Sequence, residues 1–238
     1  MTTQYFCGVM DGLLDKYSAG YVEVGASVSI QLVYLVFGIV VERVRGKYSS
    51  ETTWTMMAES LRNHVVATAI HILYVNVNGG NPALTRTYAI RPYQLPSWEE
   101  FVAHLAIGLL LRDFIFYFIH RFWHIPSVYK AVHSKHHEII YPTKHNVLTI
   151  SYMGLYDFLF LYGMPVIMIA KVLEMNLFTT MMFSFVSAVG EQFKLMFGDE
   201  GHDEHHLSGK GPYGVYGVSD TVFEFFESQD SKKEVKQA

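Results

Sequence analysis

The chain has 238 residues, 50% of them hydrophobic, 15% aromatic and 17% charged, with a formal net charge of −4 and a mean hydropathy of +0.18. A soluble domain usually carries about 25% charged residues, so the balance points toward lipid. Acids outnumber Lys and Arg and no basic stripe is visible, which excludes nucleic acid as a partner; Cys7 alone permits neither a disulfide within the chain nor a thiolate metal cage.

Met1 to Gly20 holds Asp11, Asp15 and Lys16 and lacks a basic start followed by an apolar core, so it does not read as a cleavable signal peptide. Insertion must come from internal segments. The first is Tyr21 to Val41, adequate for the roughly 20 residues a crossing needs. It ends in Glu42-Arg43-Val44-Arg45-Gly46-Lys47, whose cations assign that end to the cytosol. Thr53 to Val77 carries Glu59, Arg62 and His64 before the apolar stretch Val65 to Val77. It reads as an interfacial entry and a short or tilted crossing, or as a re-entrant hairpin. Asn78-Gly79-Gly80-Asn81-Pro82 is a turn.

Ser97-Trp98-Glu99-Glu100 marks a helix start, a cap residue followed by acids. The helix is expected to run from Phe101 to about Trp123 and to carry Arg112 and Asp113 deep among Leu109, Leu110, Phe114 and Phe116. Ionisable groups at such depth are costly and suggest function. Val147 to Val172 and Leu177 to Phe197 read as a helical hairpin joined at Glu174-Met175-Asn176, and a polar tail with turn glycines follows. No repeat, low-complexity linker or second-domain boundary is visible. The expected fold is all-α, an integral membrane bundle of about 4–5 transmembrane helices with a cytosolic histidine-rich helical cap. It forms a single domain over residues 1–238, with a catalytic region at about 98–226. Buried helices of a soluble α-protein are the competing reading.

Eight of the twelve histidines fall in three groups: His120 and His124; His133, His136 and His137; His202, His205 and His206. On a helix, positions i, i+3 and i+4 share a face, so each group is expected to aim its imidazoles at one point. Together they offer about eight nitrogen ligands, too many for one ion of the four-coordinate zinc kind. Two metals with open positions fit better. Imidazole suits iron, copper, nickel and zinc alike; the lipid setting favours iron and dioxygen attacking an unactivated C–H bond. The topology returns all three groups to one membrane face, with Arg121, Lys130, Lys135 and Lys144 nearby, which makes that face cytosolic and the N-terminus lumenal. His64, His71 and His104 read as ordinary satisfied or interfacial histidines.

The run Asp113 to Arg121, the three boxes in order, and Tyr213-Gly214-Val215 followed by Asp220 resemble the fatty acid hydroxylase/sterol desaturase superfamily, over roughly Trp98 to Phe226. The resemblance implies a di-iron centre at the cytosolic face of an endoplasmic reticulum helical bundle. It implies dioxygen and NAD(P)H-derived electrons as co-reactants and a sterol, fatty acid or related lipid as substrate. Carried over by position, the eight boxed histidines would be the ligands. The family usually supplies one or two further histidines between the second and third boxes; here Ser151-Tyr152 and Ala188-Val189-Gly190 occupy those places. His145, the only histidine between His137 and His202, is the expected ninth ligand or else an interfacial residue. Glu191 is a carboxylate candidate, or simply a polar residue at a helix end.

Asp113, Tyr117, His120 and His124 form one helical stripe. Asp113 is expected either to accept the second N–H of a liganding imidazole or to pair with Arg112 or another buried group. Asp220 is expected to orient the third box or to cap the next segment. No dinucleotide glycine fingerprint follows a strand, so electrons are expected from a separate cytochrome b-type carrier and reductase. The rival functions are a catalytically impaired relative acting as a lipid-binding or scaffold protein, and a metal transporter.

Overall fold

Long apolar segments with buried charges at chosen depths set the architecture. The structure, a computed structural model, describes residues 2–45, 50–83, 93–141, 147–198 and 200–226. His145 and the lysine-rich segment after residue 226 lie outside the described residues.

Among the described residues the fold is all-helical: α1 Thr2–Lys16, α2 Ala19–Val44, α3 Ser50–Val77, α4 Trp98–Trp123, α5 Pro126–Val132, α6 Leu155–Val172, α7 Leu177–Phe197 and α8 Glu200–Ser208. Residues 218–226 are also helical. The α4 start is capped as its sequence predicts: the Ser97 hydroxyl accepts from Glu100 N at 3.1 Å, with Glu99 and Glu100 in the first turn. The Glu174–Asn176 break holds too, because Glu174 takes φ 48° and the Asn176 side chain caps α7 by accepting from Phe178 N at 2.9 Å. Gly198, at φ 89°, ends α7.

Three expectations are corrected. Thr2–Lys16 forms a helix that its sequence did not announce; Met10 and Leu14 bury against Val22, Tyr93 and Leu177. The segment leading to Val77 is one continuous helix from Ser50, not a re-entrant hairpin. Val147 to Val172 is not one helix: a buried 3-10 turn, Val147–Ser151, is followed by a non-helical break, and α6 begins only after Gly154. Within α6 a π-helical turn spans Leu159–Gly163, just before Pro165. Pro165 has no N–H to return to the carbonyl four residues back, which widens the turn.

α7 sits at the centre, packed on both α2 and α4, with α3 beside α2 and α6 beside α4. α2, α4 and α6 are the three helices among the described residues that are long and apolar enough to cross a membrane. α3 and α7 run alongside but carry more polar residues, including Glu59 and Arg62 on one and Glu191, Gln192 and Lys194 on the other. One end of the bundle gathers the α2 terminus, where Glu42 accepts from Val147 N at 2.8 Å and pairs with Arg45. The α3 start joins it there, with Glu59 bonded to Lys135 at 2.8 Å and Asn63 to the Met153 carbonyl at 3.0 Å. At the other end Gly20 N donates to the Gly80 carbonyl, and buried Glu23 accepts from His71 and Ala83 N.

Gly38 lets α2 approach α7 and the 3-10 turn: a Cβ there would stand 2.5 Å from Leu148 Cδ2 and 3.0 Å from Gln192 Nε2. Gly38→Val is expected to cost about 1–3 kcal/mol and to lower the thermal midpoint in detergent. Gly25→Ala, with nothing within 4 Å of the new Cβ, should leave the midpoint unchanged or raise it.

Candidate metal centre

Four short pieces of chain deliver the boxed histidines to the end of the bundle that holds Arg43 and Arg45. His120 lies in the last turn of α4 and His124 is its C-cap. Pro126 starts α5 and turns the chain back, and His133 caps it. His136 and His137 occupy a 3-10 turn, so the second box is not α-helical as its spacing suggested. His202, His205 and His206 lie on α8.

The eight side chains converge, but not box by box. One nitrogen from each of His120, His124, His133, His137 and His205 lies within 4.8 Å of the others; His136, His202 and His206 form a second such group. The expectation that each box aims at one point is therefore corrected for the second and third boxes, each divided between the two groups. Helix geometry explains the division in α8. Position i+4 sits about 40° to one side of i and i+3 about 60° to the other, so His202 and His206 go one way and His205 the other. The groups adjoin, with His137 stacked on His206 at 4.3 Å between ring centroids.

Hydrogen bonds fix the ring tautomers. Nδ1 of His120 donates to the Tyr213 carbonyl at 2.8 Å, that of His205 to Lys210 O at 2.7 Å, and that of His206 to Ile139 O at 2.8 Å. His133 Nδ1 donates to Asp157 Oδ2 at 2.7 Å. His136 and His137 make longer contacts, 3.3 Å to Tyr152 O and 3.5 Å to His206 O. The carbonyl oxygens accept and cannot donate, so on those rings Nδ1 carries the proton and a neutral ring leaves a bare lone pair on Nε2; Asp157, as a carboxylate, sets the same tautomer on His133. Burial, reinforced by neighbouring imidazoles, keeps the rings neutral: it pushes His124 and His136 down to about 3 and His137 to about 4. Burial alone takes His205 to about 4, and His133, His202 and His206 are lowered in the same direction.

The lone pairs point at one another. Nε2 of His120 stands 2.9 Å from that of His133 and 3.1 Å from that of His205, and His133 and His137 approach to 3.2 Å. Nε2 of His124 and of His206 is buried without a hydrogen-bond partner among the described residues. Facing lone pairs repel unless a cation lies between them. Two imidazoles about 90° apart on an ion with bonds of about 2.1 Å would stand about 3 Å apart. The donor set thus fits metal, and its all-imidazole chemistry suits iron, copper, nickel or zinc. A cavity of about 210 Å³ adjoins His120, His133, His136 and His202 and is closed by Phe116, Tyr162, Leu161 and Val215.

Comparison with known proteins agrees with this geometry. The family profile described as Fatty acid hydroxylase matches residues 105–224, half of the chain and all eight converging histidines. The chain belongs to the fatty acid hydroxylase family. It is 34% identical over 138 residues to human (Homo sapiens) "Fatty acid hydroxylase domain-containing protein 2", covering 53% of this chain and 39% of that protein. It is 31% identical over 135 residues to "Fatty acid hydroxylase ahd1" of Mycosarcoma maydis, covering 54% and 35%. It is 44% identical over 50 residues to "Methylsterol monooxygenase 2-2" of Arabidopsis thaliana, covering 21% and 19%. The chain thus spans less than half the length of these relatives. No solved structure matches it significantly.

In this fatty acid hydroxylase family member Asp113 follows the second of its two expected readings and pairs with another buried polar group, Ser219. Asp113 contacts neither an imidazole nor Arg112: it accepts from Tyr216 N at 2.5 Å and from Ser219 N and Oγ at 2.8 and 2.7 Å. Asp220 accepts from Tyr213 N at 2.6 Å and Gly214 N at 2.8 Å. Both pin the loop whose Tyr213 carbonyl holds His120. Glu191 is no helix-end residue: it is buried within α7, accepts from Arg112 Nη2 at 2.6 Å and from the Tyr162 hydroxyl, and belongs to neither histidine group. His64 contacts the Ser60 carbonyl, His71 contacts Glu23, and His104 lies beside Glu100.

The imidazole-orienting carboxylate is Asp157, fully buried and missed in the sequence. Its signal was present, a lone acid inside an apolar run. Asp157→Ala should weaken metal binding by about 10–100-fold, read by chelator competition on the purified chain. Asp157→Asn should keep most of the affinity, because its amide oxygen still accepts from Nδ1. Equal loss in both variants would show that charge, not the hydrogen bond, is what His133 requires.

Proposed function

We propose that the chain is a membrane-embedded non-haem di-iron oxygenase that hydroxylates or desaturates a lipid, with His120, His124, His133, His137 and His205 holding one metal and His136, His202 and His206 holding the other. One observation carries this reading: two adjoining groups of neutral imidazoles turn their Nε2 lone pairs inward while their Nδ1 protons are bound elsewhere. The relatives' printed names, a hydroxylase and a methylsterol monooxygenase, support lipid oxidation.

Iron with dioxygen supplies the oxidising power that an unactivated C–H bond demands. In hydroxylation one oxygen atom enters the C–H bond and the other leaves as water, consuming two electrons and two protons; in desaturation both oxygen atoms leave as water. The chain's own part is positional. Asp157 and the carbonyls of Tyr213, Lys210 and Ile139 hold the ring tautomers, and Phe116, Leu161 and Val215 wall the small cavity against water. A second, largely apolar cavity of about 520 Å³ lies among α2, α3, α6 and α7, within the range for small-molecule sites, and we assign it to the lipid. Tyr162 lines both cavities.

Crossing by α3 and α7 as well as by α2, α4 and α6 completes the reading, one domain over residues 1–238 with catalysis in about 98–226. Arg43, Arg45, Lys130 and Lys135 at the histidine end support a cytosolic site. In the endoplasmic reticulum membrane, that face would receive NAD(P)H-derived electrons from a separate cytochrome b-type carrier and its reductase. A catalytically impaired, lipid-binding relative is the second reading, favoured by the second group's three imidazoles. A metal transporter is disfavoured because both groups lie at one end of the bundle rather than along a path through it.

Reconstitution in nanodiscs with iron, NADPH and a reductase system tests the proposal. The expected result is about two irons per chain, since one ion does not take eight imidazoles, together with lipid-dependent oxygen uptake. His136→Ala, which leaves its group two imidazoles, should bring the iron content toward one and abolish turnover. Full turnover in that variant would defeat the proposal, and bound lipid with no iron would favour the impaired relative.

A further inference from the structure

Arg112 is a guanidinium held at 1% exposure, eight residues before His120 on α4. Nη2 donates to Glu191 Oε1 at 2.6 Å, and Glu191 also accepts from the Tyr162 hydroxyl. The Phe116 and Tyr162 rings lie 5.6 and 5.5 Å from the guanidinium carbon. Rings offset charge but do not replace a hydrogen-bond acceptor. Nε and Nη1 are buried with no acceptor among the described residues, and a charged group's donors are expensive to bury unmet.

Arg112 lines the 520 Å³ cavity. The other walls are mostly apolar, among them Ile30, Ala67, Phe158 and Met181; Tyr34, Tyr162 and Ser187 also line it, as do His64, His71 and Lys171. Ser187 stands one turn before Glu191 on α7. A cavity shaped for hydrocarbon thus has on its wall a cation with two unmet donors.

We propose that Arg112 Nε and Nη1 hold an oxygen atom of the lipid, and that this oxygen is neutral, a hydroxyl or carbonyl rather than a carboxylate. Glu191 already balances the guanidinium, so a second anion in this buried place would be left uncompensated. The proposal rests on assigning the large cavity to the lipid, and it narrows the substrate class to neutral oxygen-bearing lipids. Arg112 is a specificity-determining residue in this account, and the Glu191–Tyr162 pair positions it.

The test is displacement of tritiated hexadecan-1-ol from the purified full chain in nanodiscs, with empty discs as background. Unlabelled hexadecan-1-ol should compete at concentrations about tenfold below those of hexadecane, the gain of one charge-assisted hydrogen bond. Ionised hexadecanoate should compete less well than the alcohol. In the charge-balanced double variant Arg112→Met with Glu191→Gln, alcohol and alkane should come within about twofold of each other. Equal competition by hexadecane in the wild-type chain would overturn the proposal and leave water as the partner of Arg112. Stronger competition by hexadecanoate, or an unchanged alcohol preference in the double variant, would overturn it as well. The wild-type comparison decides even where the double variant fails to fold. Because binding is read without turnover, an iron-free or inactive protein that prefers the alcohol sinks the oxygenase reading alone, and an active one without the preference sinks the anchor alone.

Discussion

Nitrogen lone pairs turned toward one another, those on Nε2 of His120, His133, His137 and His205, constrain everything else at this end of the bundle. Neutral imidazoles whose Nε2 atoms stand about 3 Å apart do not attract each other, so their arrangement must be imposed from behind. It is imposed through Nδ1. Each acceptor that holds an Nδ1 proton fixes both which nitrogen is bare and where it points, and a shift in any acceptor re-aims a ring. The site is therefore built as much by the groups behind the rings as by the histidines themselves.

Those acceptors explain why the histidine end departs from regular helix. A carbonyl inside an α-helix is already committed to the N–H four residues on, so the free carbonyls come from chain ends and breaks. Ile139 follows the 3-10 turn, Tyr152 lies in the break before α6, and Lys210 and Tyr213 follow α8. Irregular backbone needs anchoring of its own. Asp113, reaching out from α4, and Asp220 supply it by accepting five hydrogen bonds from Tyr213, Gly214, Tyr216 and Ser219. A carboxylate buried at a costly depth thus holds a loop rather than a ring, and the loop holds the ring.

The sequence made the parts with strong local causes legible. The α4 cap, the break at Glu174–Asn176 and the apolar lengths of α2 and α4 are local facts, and so is the imidazole count. What stayed hidden depends on partners distant in the chain. Asp113 and Asp157 are both lone acids in apolar runs; nothing local says that one meets a loop about 100 residues later and the other meets His133. The same holds for the splitting of the boxes. Spacing i, i+3, i+4 puts three side chains on one face, but that face spans about 100°, wide enough to serve two points once a second cluster exists to receive half of it. Continuity was over-read in Val147 to Val172, where an apolar run conceals a 3-10 turn, a break and a π-turn in succession. Hydrophobic content does not distinguish these from one straight helix.

The two histidine groups are unequal, five against three, and the inequality has a structural counterpart. Ser151 and Ala188, at the places where the family resemblance implies further histidines, both line the large apolar cavity. Small side chains there leave open the space that imidazoles would fill. Ala188 lines the large cavity, and Glu191, three residues on, accepts from Arg112 and lines the small cavity beside His120, His133, His136 and His202. An ion held by His136, His202 and His206 alone would be held less firmly and would keep more positions open than its neighbour. The small cavity beside the histidines and the large apolar one meet at Tyr162, the residue on both walls, presented there by the π-turn before Pro165. On this argument the chain has exchanged ligands for room, and the asymmetric centre and the apolar cavity are two consequences of the same small residues.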